Sequence, residues 1–554
     1  MNLSRMGGLV VAVAASLATI ATGLAPAVAQ ASASGGSPAL AVTHYTGTPG
    51  TARLMPRGAP AAATPSTPQV VPRGARRLPS GHFSATEAVP GAPASAGAAA
   101  AAATATGSPL VNFNGVSSRD SQFTNYQAKF EPPDQGLCEG NGFVLEPVNS
   151  AYRIYRTTGM SLRGPFNIND LFNVGGKEFT SDPRCWFDPT TQTWFATILF
   201  INDSSTASSL LIAVRHNPDP RGLWNEYSID TTDLGGNGCP CFGDQPRLGI
   251  DQTNLYVTAD EFSIPGSQFN GAEMWVIDKS DLVAGVASPH LVHFANLTID
   301  GQQTVAPQPA LSAGKPDAEY FLSSLDFNGT GDNRIGVWAM TERGQVGVGG
   351  TPMLSSVVIN SEAYAIPPPA PQKGAKSKLD SGDDRMQQTQ FVGGKLWGEL
   401  TTAVKPAGDS SVRAGGAWFR VKPTLGGAGI TGASIVRQGY IASAGQYEIY
   451  PAVQPDAAGN AAVVFTLSST TRFPSAAYAT LKAGDSDFGP PVVAASGTGP
   501  YDPKATRWGD YSFAVPDGTS DSAWLATEYI PPKSSQTTTG ERNWGTRVFD
   551  VPLG

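Results

Sequence analysis

The 554-residue chain is predicted to be an all-β protein whose main domain is a seven-bladed β-propeller. Three observations predict this class. One unit recurs along the chain, strands are short and bounded by turn residues, and no long stretch has the 3.6-residue period of a helix. The clearest copy spans 244–260, where Asp244, Gln245 and Arg247 precede an apolar run, a turn and an alternating strand. Repeated units that lead with paired strands favour radial four-stranded blades over a helical solenoid.

Seven copies of this unit can be aligned on one residue at the start of each innermost strand. The separations range from 48 residues (134 to 182) to 76 residues (308 to 384). The seven anchors are Asp134, Asp182, Asp244, Gln308, Asp384, Tyr450 and Asp510. In the second copy the predicted strands are 184–188, 193–200, 209–216 and 224–230, and the longest loops of the domain are predicted over 360–382 and 482–506.

The chain before the propeller has a different composition. Residues 1–33 are predicted to be a secretory signal peptide, with Arg5 before an apolar run and small-residue cleavage patterns after it. Residues 34–108 are rich in Ala, Pro, Gly, Ser and Thr and are predicted to be a disordered linker, because they bury too little apolar surface to offset the entropy of ordering. The propeller is expected over 109–554.

Charge and hydropathy narrow the range of partners. The formal net charge is −8 and the isoelectric point is about 5.3, which argues against a nucleic-acid binder. No second apolar span follows the signal peptide. The mature protein is therefore expected to be a secreted monomer, extracellular or cell-wall associated, without a membrane span.

Four cysteines are expected to form disulfide bonds, because their number is even and the chain is predicted to be exported. They are Cys138, Cys185, Cys239 and Cys241, and all lie near the starts of three consecutive innermost strands. The spacing leaves the three possible pairings open. A zinc cluster is the alternative, but no histidine lies near them in sequence, so no metal site is predicted here.

The repeated strand starts carry a resemblance to a known group of proteins. The segments are Pro-Pro-Asp-Gln-Gly at 132–136, Ser-Asp-Pro-Arg-Cys at 181–185, Gly-Asp-Gln-Pro-Arg-Leu-Gly at 243–249, Asp-Asp-Arg-Met-Gln at 383–387 and Arg-Trp-Gly-Asp-Tyr-Ser at 507–512. From about residue 130 onward the chain resembles secreted bacterial proteins of sialidase-like propeller type, a group with no settled activity. The Ser-x-Asp-x-Gly-x-x-Trp motif of true sialidases is absent from every blade. The resemblance therefore implies an architecture more than an activity.

Polar residues at the starts of all innermost strands of a propeller converge on one central funnel, a usual setting for ligand binding. The candidate ligand-binding residues are Arg184, Arg247, Arg385, Gln245 and Gln387, and the candidate catalytic residues are Asp134, Asp182, Asp244, Asp510 and Tyr511. Three arginines could clamp a carboxylate, and paired carboxyl groups or a tyrosine could hydrolyse a glycosidic bond. The structural alternative is that each Asp fixes a turn and each Arg pairs with a carboxylate of a neighbouring blade, such as Asp182 or Asp244.

The sequence thus favours a propeller that recognises an extracellular glycan at its funnel and, if it is an enzyme, acts as a sialidase-like glycoside hydrolase. The alternative is a non-catalytic adhesion or protein-interaction module that binds a cell-surface component. No cofactor is expected apart from a calcium ion, for which the Asx-rich segment 326–332 offers oxygen ligands at alternate positions. Position twelve of that segment is Val337 rather than Glu, which excludes an EF-hand and leaves a plain Asx-rich turn as the other interpretation.

Overall fold

The computed structural model describes residues 40–56, 108–124, 131–175, 178–236, 238–266, 268–305, 307–312, 314–427, 429–501, 507–538 and 542–554. The predicted signal peptide over 1–33 lies outside these residues, as do the parts of the predicted linker at 34–39 and 57–107. The described part consists of β-strands with a few short helices, which confirms the all-β class. None of the described helices combines the length and the apolar character that crossing a bilayer requires.

Four strands come first in the chain: β1 (Thr43–Tyr45), β2 (Thr48–Thr51), β3 (Arg53–Leu54) and β4 (Val111–Ser117). The strands that follow pair in antiparallel groups of four, which we call blades. Blade 1 contains β5 (Cys138–Gly140), β6 (Phe143–Val148), β7 (Ala151–Arg156) and β8 (Ser161–Asn167). Blade 2 contains β9 (Phe179–Asp188), β10 (Thr193–Ile201), β11 (Ser208–His216) and β12 (Asn225–Asp230). Blade 3 contains β13 (Cys241–Ile250), β14 (Asn254–Ser263), β15 (Phe269–Asp278) and β16 (His290–Ile299), with the short β17 (Gln302–Gln303) at its edge.

Blades 4 to 7 follow the same plan. Blade 4 contains β18 (Gln308–Leu311), β19 (Glu319–Ser324), β20 (Asp332–Thr341) and β21 (Met353–Tyr364). Blade 5 contains β22 (Met386–Val392), β23 (Lys395–Val404), β24 (Arg413–Gly426) and β25 (Gly429–Ile441). Blade 6 contains β26 (Tyr447–Pro455), β27 (Ala461–Ser469), β28 (Arg472–Leu481) and β29 (Val492–Ala495), and blade 7 contains β30 (Phe513–Pro516), β31 (Ser522–Tyr529), β32 (Gly545–Pro552) and β4.

Helices are few and short in the described residues. They are α1 (Ser118–Phe123), α2 (Ile168–Leu171) and α3 (Lys279–Ala284), with 3₁₀ turns at Arg343–Val348 and Lys533–Ser535. The side chain of Ser117 caps α1 by accepting the N–H of Asp120, whose carboxylate accepts the N–H of Ser117 in return. Such caps suit one-turn helices between strands, where propensity contributes little.

The first strands of the blades form a closed ring. Each contacts the first strand of the next blade, and β30 of blade 7 contacts β5 of blade 1. Parallel pairing of β13 with β18 and of β18 with β22 joins three neighbours directly. Apolar side chains fill the space between adjacent blades, as where Trp397 and Trp418 of blade 5 pack with Phe465 of blade 6. The starts of the first strands therefore lie together around one centre.

Residues 43–54 add short strands to the outer edges of three blades. The prediction of a disordered linker over 34–108 is therefore wrong for these residues. Strand β1 pairs with β21 of blade 4, β2 with β16 of blade 3 and β3 with β12 of blade 2. The Tyr45 ring stacks on Trp338 with centroids 4.9 Å apart, and Ala52 is buried. The outer strand of a sheet offers unpaired N–H and C=O groups that any extended segment can bind. A composition poor in core residues therefore does not prevent this segment from becoming ordered.

Blade 7 is completed by a strand from the other end of the domain. Strand β4 pairs with β32, so the two ends of the domain are joined by main-chain hydrogen bonds. The buried Glu146 carboxylate of blade 1 accepts hydrogen bonds from the Val116 N–H at 2.9 Å and from the hydroxyls of Tyr155 and Thr546. Burial raises the pKa of Glu146 to about 7 despite these donors. This carboxyl group therefore titrates near neutral pH at the junction of blades 7 and 1.

We expect Glu146→Gln to reduce the pH dependence of stability. The folded pKa is about 7, above the ordinary 4.5, so the proton on Glu146 stabilises the fold fully below pH 4.5, and this contribution is lost as pH rises through 7. Between pH 4.5 and pH 7 the free energy of unfolding should fall by about 3 kcal/mol more in the wild type than in the variant. Urea unfolding at pH 5 and pH 8 measures the difference, and parallel curves for the two proteins would contradict the assignment.

Candidate functional site

The starts of several first strands share a bulge in which a non-glycine residue has a left-handed backbone just before a proline. Asp182 (φ 60°), Gln245 (φ 47°) and Tyr450 (φ 55°) each precede a proline, and the strand register shifts at each of these places. Asp134 of blade 1 also has a positive φ of 43°. Such conformations cost about 1–3 kcal/mol each and persist where surrounding contacts impose them. Bulges re-orient side chains, and here they direct polar groups toward residues of other blades.

Two carboxyl groups meet at the junction of blades 1 and 2. Asn149 links them, since its Nδ2 donates to Asp134 Oδ2 at 2.7 Å and its Oδ1 accepts the N–H of Asp182 at 2.6 Å. The two carboxyl groups are close enough for the charge of Asp182 to act on the pKa of Asp134. Burial, with added repulsion from Asp510 and Asp182, raises the pKa of Asp134 well above its ordinary value. Asp134 therefore favours its protonated form.

Asp244 and Asp510 complete an acidic group around this pair. Burial raises the pKa of Asp244 well above its ordinary value, with repulsion from Asp182 adding to the effect and Arg385 opposing it. Asp510 forms an ion pair with Arg507, and its charge acts on Asp134, Asp182 and Asp244. Four of the candidate catalytic residues, from blades 1, 2, 3 and 7, thus lie in one electrostatic neighbourhood.

Two of the three candidate arginines converge on shared oxygen atoms. Arg247 Nη2 lies 2.8 Å and Arg385 Nη1 lies 3.2 Å from Asp260 Oδ2. Both guanidinium groups also donate to Gln245 Oε1, at 3.2 and 2.9 Å. Arg385 forms a second, bidentate pair with Asp383, which keeps the pKa of that carboxyl group below its ordinary value despite burial. The arginines are therefore paired, but with Asp260 and Asp383 rather than with Asp182 or Asp244 as the sequence suggested.

Arg184 is held differently from the other two. Its guanidinium carbon lies 3.3 Å from the centroid of the Tyr511 ring, and it forms no ion pair among the described residues. Burial lowers the pKa of Arg184, and the charge of Arg247 lowers it further. Arg184 Nε, Arg247 Nη1 and the Tyr511 hydroxyl are buried and have no hydrogen-bonding partner among the described residues. Buried donors in native proteins are normally satisfied, so these atoms indicate a place for an acceptor from outside the chain.

The carboxyl, guanidinium and glutamine side chains described above form one polar cluster that is partly exposed. Gln245, Asp383 and Asp510 are half-buried, whereas Asp134 and Arg247 are only 1% exposed. The backbone N–H of Gln245 donates to Asp182 Oδ2 at 3.2 Å, which joins Gln245 to the carboxyl pair.

The remaining anchors and the candidate Gln387 have other neighbours. Asp384 lies near Asp326, and burial together with the charge of Asp326 raises the pKa of Asp384 well above its ordinary value. Gln387 and Gln308 are buried, and no side-chain hydrogen bond joins either to the cluster within the described part of the chain. Tyr450 packs beside Gly382, where an added Cβ would lie 2.9 Å from its ring.

Asp260 and Asp383 belong to the site, although neither is among the residues that the sequence pattern predicts there. Asp260 ends the alternating run of β14, directly across the sheet from Asp244, and Asp383 precedes the residue taken as the blade 5 anchor. The Asp-Asp-Arg run at 383–385 was the available signal. An aspartate two residues before an arginine can form the bidentate pair that Asp383 makes.

Both pairs of cysteines are oxidised. Cys138 of β5 is bonded to Cys185 of β9, which ties the first strands of blades 1 and 2 together across 47 residues. Cys239 is bonded to Cys241, two residues away. This pairing settles which of the three arrangements left open by the spacing is present.

The segment 326–332 has the hydrogen bonding of an Asx-rich turn. The carboxylate of Asp326 accepts the N–H groups of Thr330 and Gly331, each at 2.9 Å. Asp332 is occupied by an ion pair with Arg334. These oxygens are used within the turn, which favours the turn interpretation over a calcium loop.

No protein-family model and no curated protein matches the chain. Solved structures that resemble it include a Penicillium chrysogenum alpha-L-arabinanase complexed with arabinobiose, at 10% identity and a TM-score of 0.35 over 81% of this chain and 99% of that chain. Others are the Hadza microbial sialidase Hz136, at 10% identity and 0.35 over 80% and 68%, and a GH43 endo-arabinanase from Bacillus licheniformis, at 13% and 0.26 over 54% and 96%. These proteins carry the names of glycan-acting enzymes, and a likeness this distant assigns no activity to this chain.

Proposed function

We propose that this protein is a secreted glycan-binding propeller that takes an acidic sugar at the cluster around Arg184, Arg247 and Tyr511. The observation that carries the proposal is the pair of buried guanidinium groups, each with an N–H that has no partner among the described residues. Arg184 and Arg247 are close enough for their charges to oppose each other. An anionic oxygen between them would accept both donors and relieve that repulsion.

An acidic sugar fits the chemistry of this place. Arg184 is the arginine of the three that has no carboxylate pair among the described residues, so its charge is available for a carboxylate of the ligand. The planar guanidinium can bind a carboxylate through two N–H groups while its face rests on Tyr511. The Tyr511 hydroxyl and Gln245 add hydrogen-bonding groups suited to sugar hydroxyls.

The carboxyl geometry favours binding over hydrolysis. Retaining glycosidases hold their two carboxyl groups about 5–5.5 Å apart, and inverting ones hold them about 6.5–9.5 Å apart. Asp134 and Asp182 are instead held by the same Asn149 side chain at the junction of blades 1 and 2, so this pair does not flank a glycosidic bond from two sides. Burial also raises the pKa of Tyr511 well above its ordinary value, so its hydroxyl is protonated and a poor nucleophile at neutral pH.

The proposal predicts that Tyr511→Phe weakens binding of an acidic oligosaccharide about tenfold with no loss of stability. The hydroxyl has no partner among the described residues, so its removal leaves no protein group unpaired. Arg184→Gln should weaken binding by about tenfold or more, since a charge-assisted hydrogen bond contributes roughly 1.5–3 kcal/mol. The measurement is a screen of the purified protein on acidic and neutral glycans, followed by calorimetric titration and thermal melting of each variant.

Arg221→Gln is the matched control, because Arg221 pairs with Asp219 away from the cluster and its loss should leave binding unchanged. The proposal fails if no glycan binds, or if Tyr511→Phe and Arg184→Gln bind as tightly as the wild type. The same glycan panel is also assayed for newly formed reducing ends. If the wild type releases reducing ends and Asp134→Asn does not, the function is hydrolysis rather than binding.

A further inference from the structure

The Cys239–Cys241 disulfide contributes little to holding the fold together. It links residues two positions apart, whereas Cys138–Cys185 links residues 47 positions apart. The restraint that a crosslink places on the unfolded chain grows with the logarithm of the number of residues in the loop it closes. A loop this short therefore gives very little restraint. The Cys239–Cys241 bond is therefore explained poorly as a structural staple.

The two disulfides also differ in access. Cys138 and Cys185 are 1% and 0% exposed, which places their bond out of reach of solutes in the folded protein. Cys239 is half-buried in the segment that leads into β13, and Cys241 is buried behind it. Cys239 is therefore the more accessible of the two cysteines to an external thiol.

The buried sulfur has partners suited to a leaving thiolate. Asn270 Nδ2 donates to Cys241 Sγ at 2.9 Å, and Gln268 Nε2 donates to Asn270 Oδ1 at 2.8 Å, which orients the Asn270 amide toward the sulfur. One carboxylate oxygen of Glu261 lies within 4.8 Å of both sulfur atoms. A hydrogen-bond donor and a proton source next to Cys241 lower the cost of breaking the bond on that side.

We propose that Cys239–Cys241 is a redox-active disulfide that exchanges with a dithiol of a partner protein or small molecule. A thiolate of the dithiol attacks Cys239 Sγ, the S–S bond breaks, and Cys241 leaves as a thiolate that takes a proton from Glu261. The second thiol of the dithiol then attacks the mixed disulfide and releases Cys239. The two electrons come from the dithiol, which becomes a disulfide, and its two protons end on Cys239 and, through Glu261, on Cys241.

Glu261 is suited to supply the proton at neutral pH. Burial, together with the charges of Glu273 on β15 and Asp233 on the preceding loop, raises its pKa to about 8. The Glu273 carboxyl group contacts Nε2 of His293 at 2.5 Å, and Asp233 Oδ2 lies 3.9 Å from Cys239 Sγ. The carboxyl group near the disulfide is therefore largely protonated at pH 7.

The test is trapping of thiols in the full-length, oxidised protein under native conditions. Samples are equilibrated with increasing dithiothreitol, alkylated with N-ethylmaleimide and mapped by peptide mass, while circular dichroism follows the fold. Cys239 and Cys241 should be alkylated at a dithiothreitol concentration at least about tenfold below that needed for Cys138 and Cys185, with the fold intact. Labelling of all four cysteines together, or only on unfolding, overturns the proposal.

Glu261→Gln tests the proton transfer separately. This variant keeps the disulfide but should slow its reduction at pH 7 about tenfold, since the leaving thiolate loses its proton source. Glu342→Gln, which changes an exposed carboxylate elsewhere, should leave the rate unchanged. An unchanged rate in Glu261→Gln overturns the assigned role of Glu261.

Discussion

Replacing Arg247 with Ala is expected to lower the free energy of unfolding by about 3–5 kcal/mol. Arg247 and Asp260 form an ion pair at 2.8 Å in which both side chains are only 2% exposed. Loss of the arginine leaves a buried carboxylate with the weaker, 3.2 Å contact to Arg385. Chemical denaturation of the variant measures the loss. Arg334→Ala is the control, because its pairs with Asp300 and Asp332 are both partly exposed and each contributes about 1 kcal/mol or less.

The same Arg247→Ala protein separates the two roles that the sequence left open. If Arg247 also binds ligand through its unpartnered Nη1, affinity for an acidic sugar should fall about tenfold along with stability. A lowered melting temperature with unchanged affinity would restrict Arg247 to a structural role. The double variant Arg247→Ala/Asp260→Asn should recover part of the lost stability, because the buried charge that lost its closest ion pair is removed as well.

Removing the Cys138–Cys185 disulfide by replacing both residues with Ala is expected to cost about 4 kcal/mol of unfolding free energy. The bond closes a loop between residues 47 apart and joins the first strands of blades 1 and 2, so its loss frees a long segment of the unfolded chain. The matched variant Cys239→Ala/Cys241→Ala should lose only about 1.5 kcal/mol by the same relation. Urea unfolding without reductant compares them, and equal losses would contradict the loop-closure argument.

Local patterns predicted the strands of the repeated unit closely. The second strand of blade 2 was predicted over 193–200 and spans Thr193–Ile201, and the third was predicted over 209–216 and spans Ser208–His216. These strands are buried between neighbouring blades, and their alternation and turn residues are encoded locally. The first strand was predicted too short, as 184–188 instead of Phe179–Asp188, because the bulge at Asp182 interrupts its pattern.

Strands that depend on edge pairing could not be predicted in the same way. Strand β29 lies inside the loop expected over 482–506, and β1 to β3 lie inside the linker expected over 34–108. They form by main-chain hydrogen bonds to the outer strand of a sheet, which place little demand on their side chains. Strand β4 joins β32 across the whole domain, a pairing that no local pattern records.

By itself, the sequence determined the all-β class, the repeated polar position at the start of each first strand, and the residue types available there. Only the tertiary structure decided which of them meet. Gln245 and Arg385 are 140 residues apart yet lie 2.9 Å from each other, and Asp384 faces Asp326 while its neighbour Asp383 binds Arg385. Ion pairing and pKa shifts depend on distance and burial, which are properties of the assembled ring of blades and cannot be read from the order of residues.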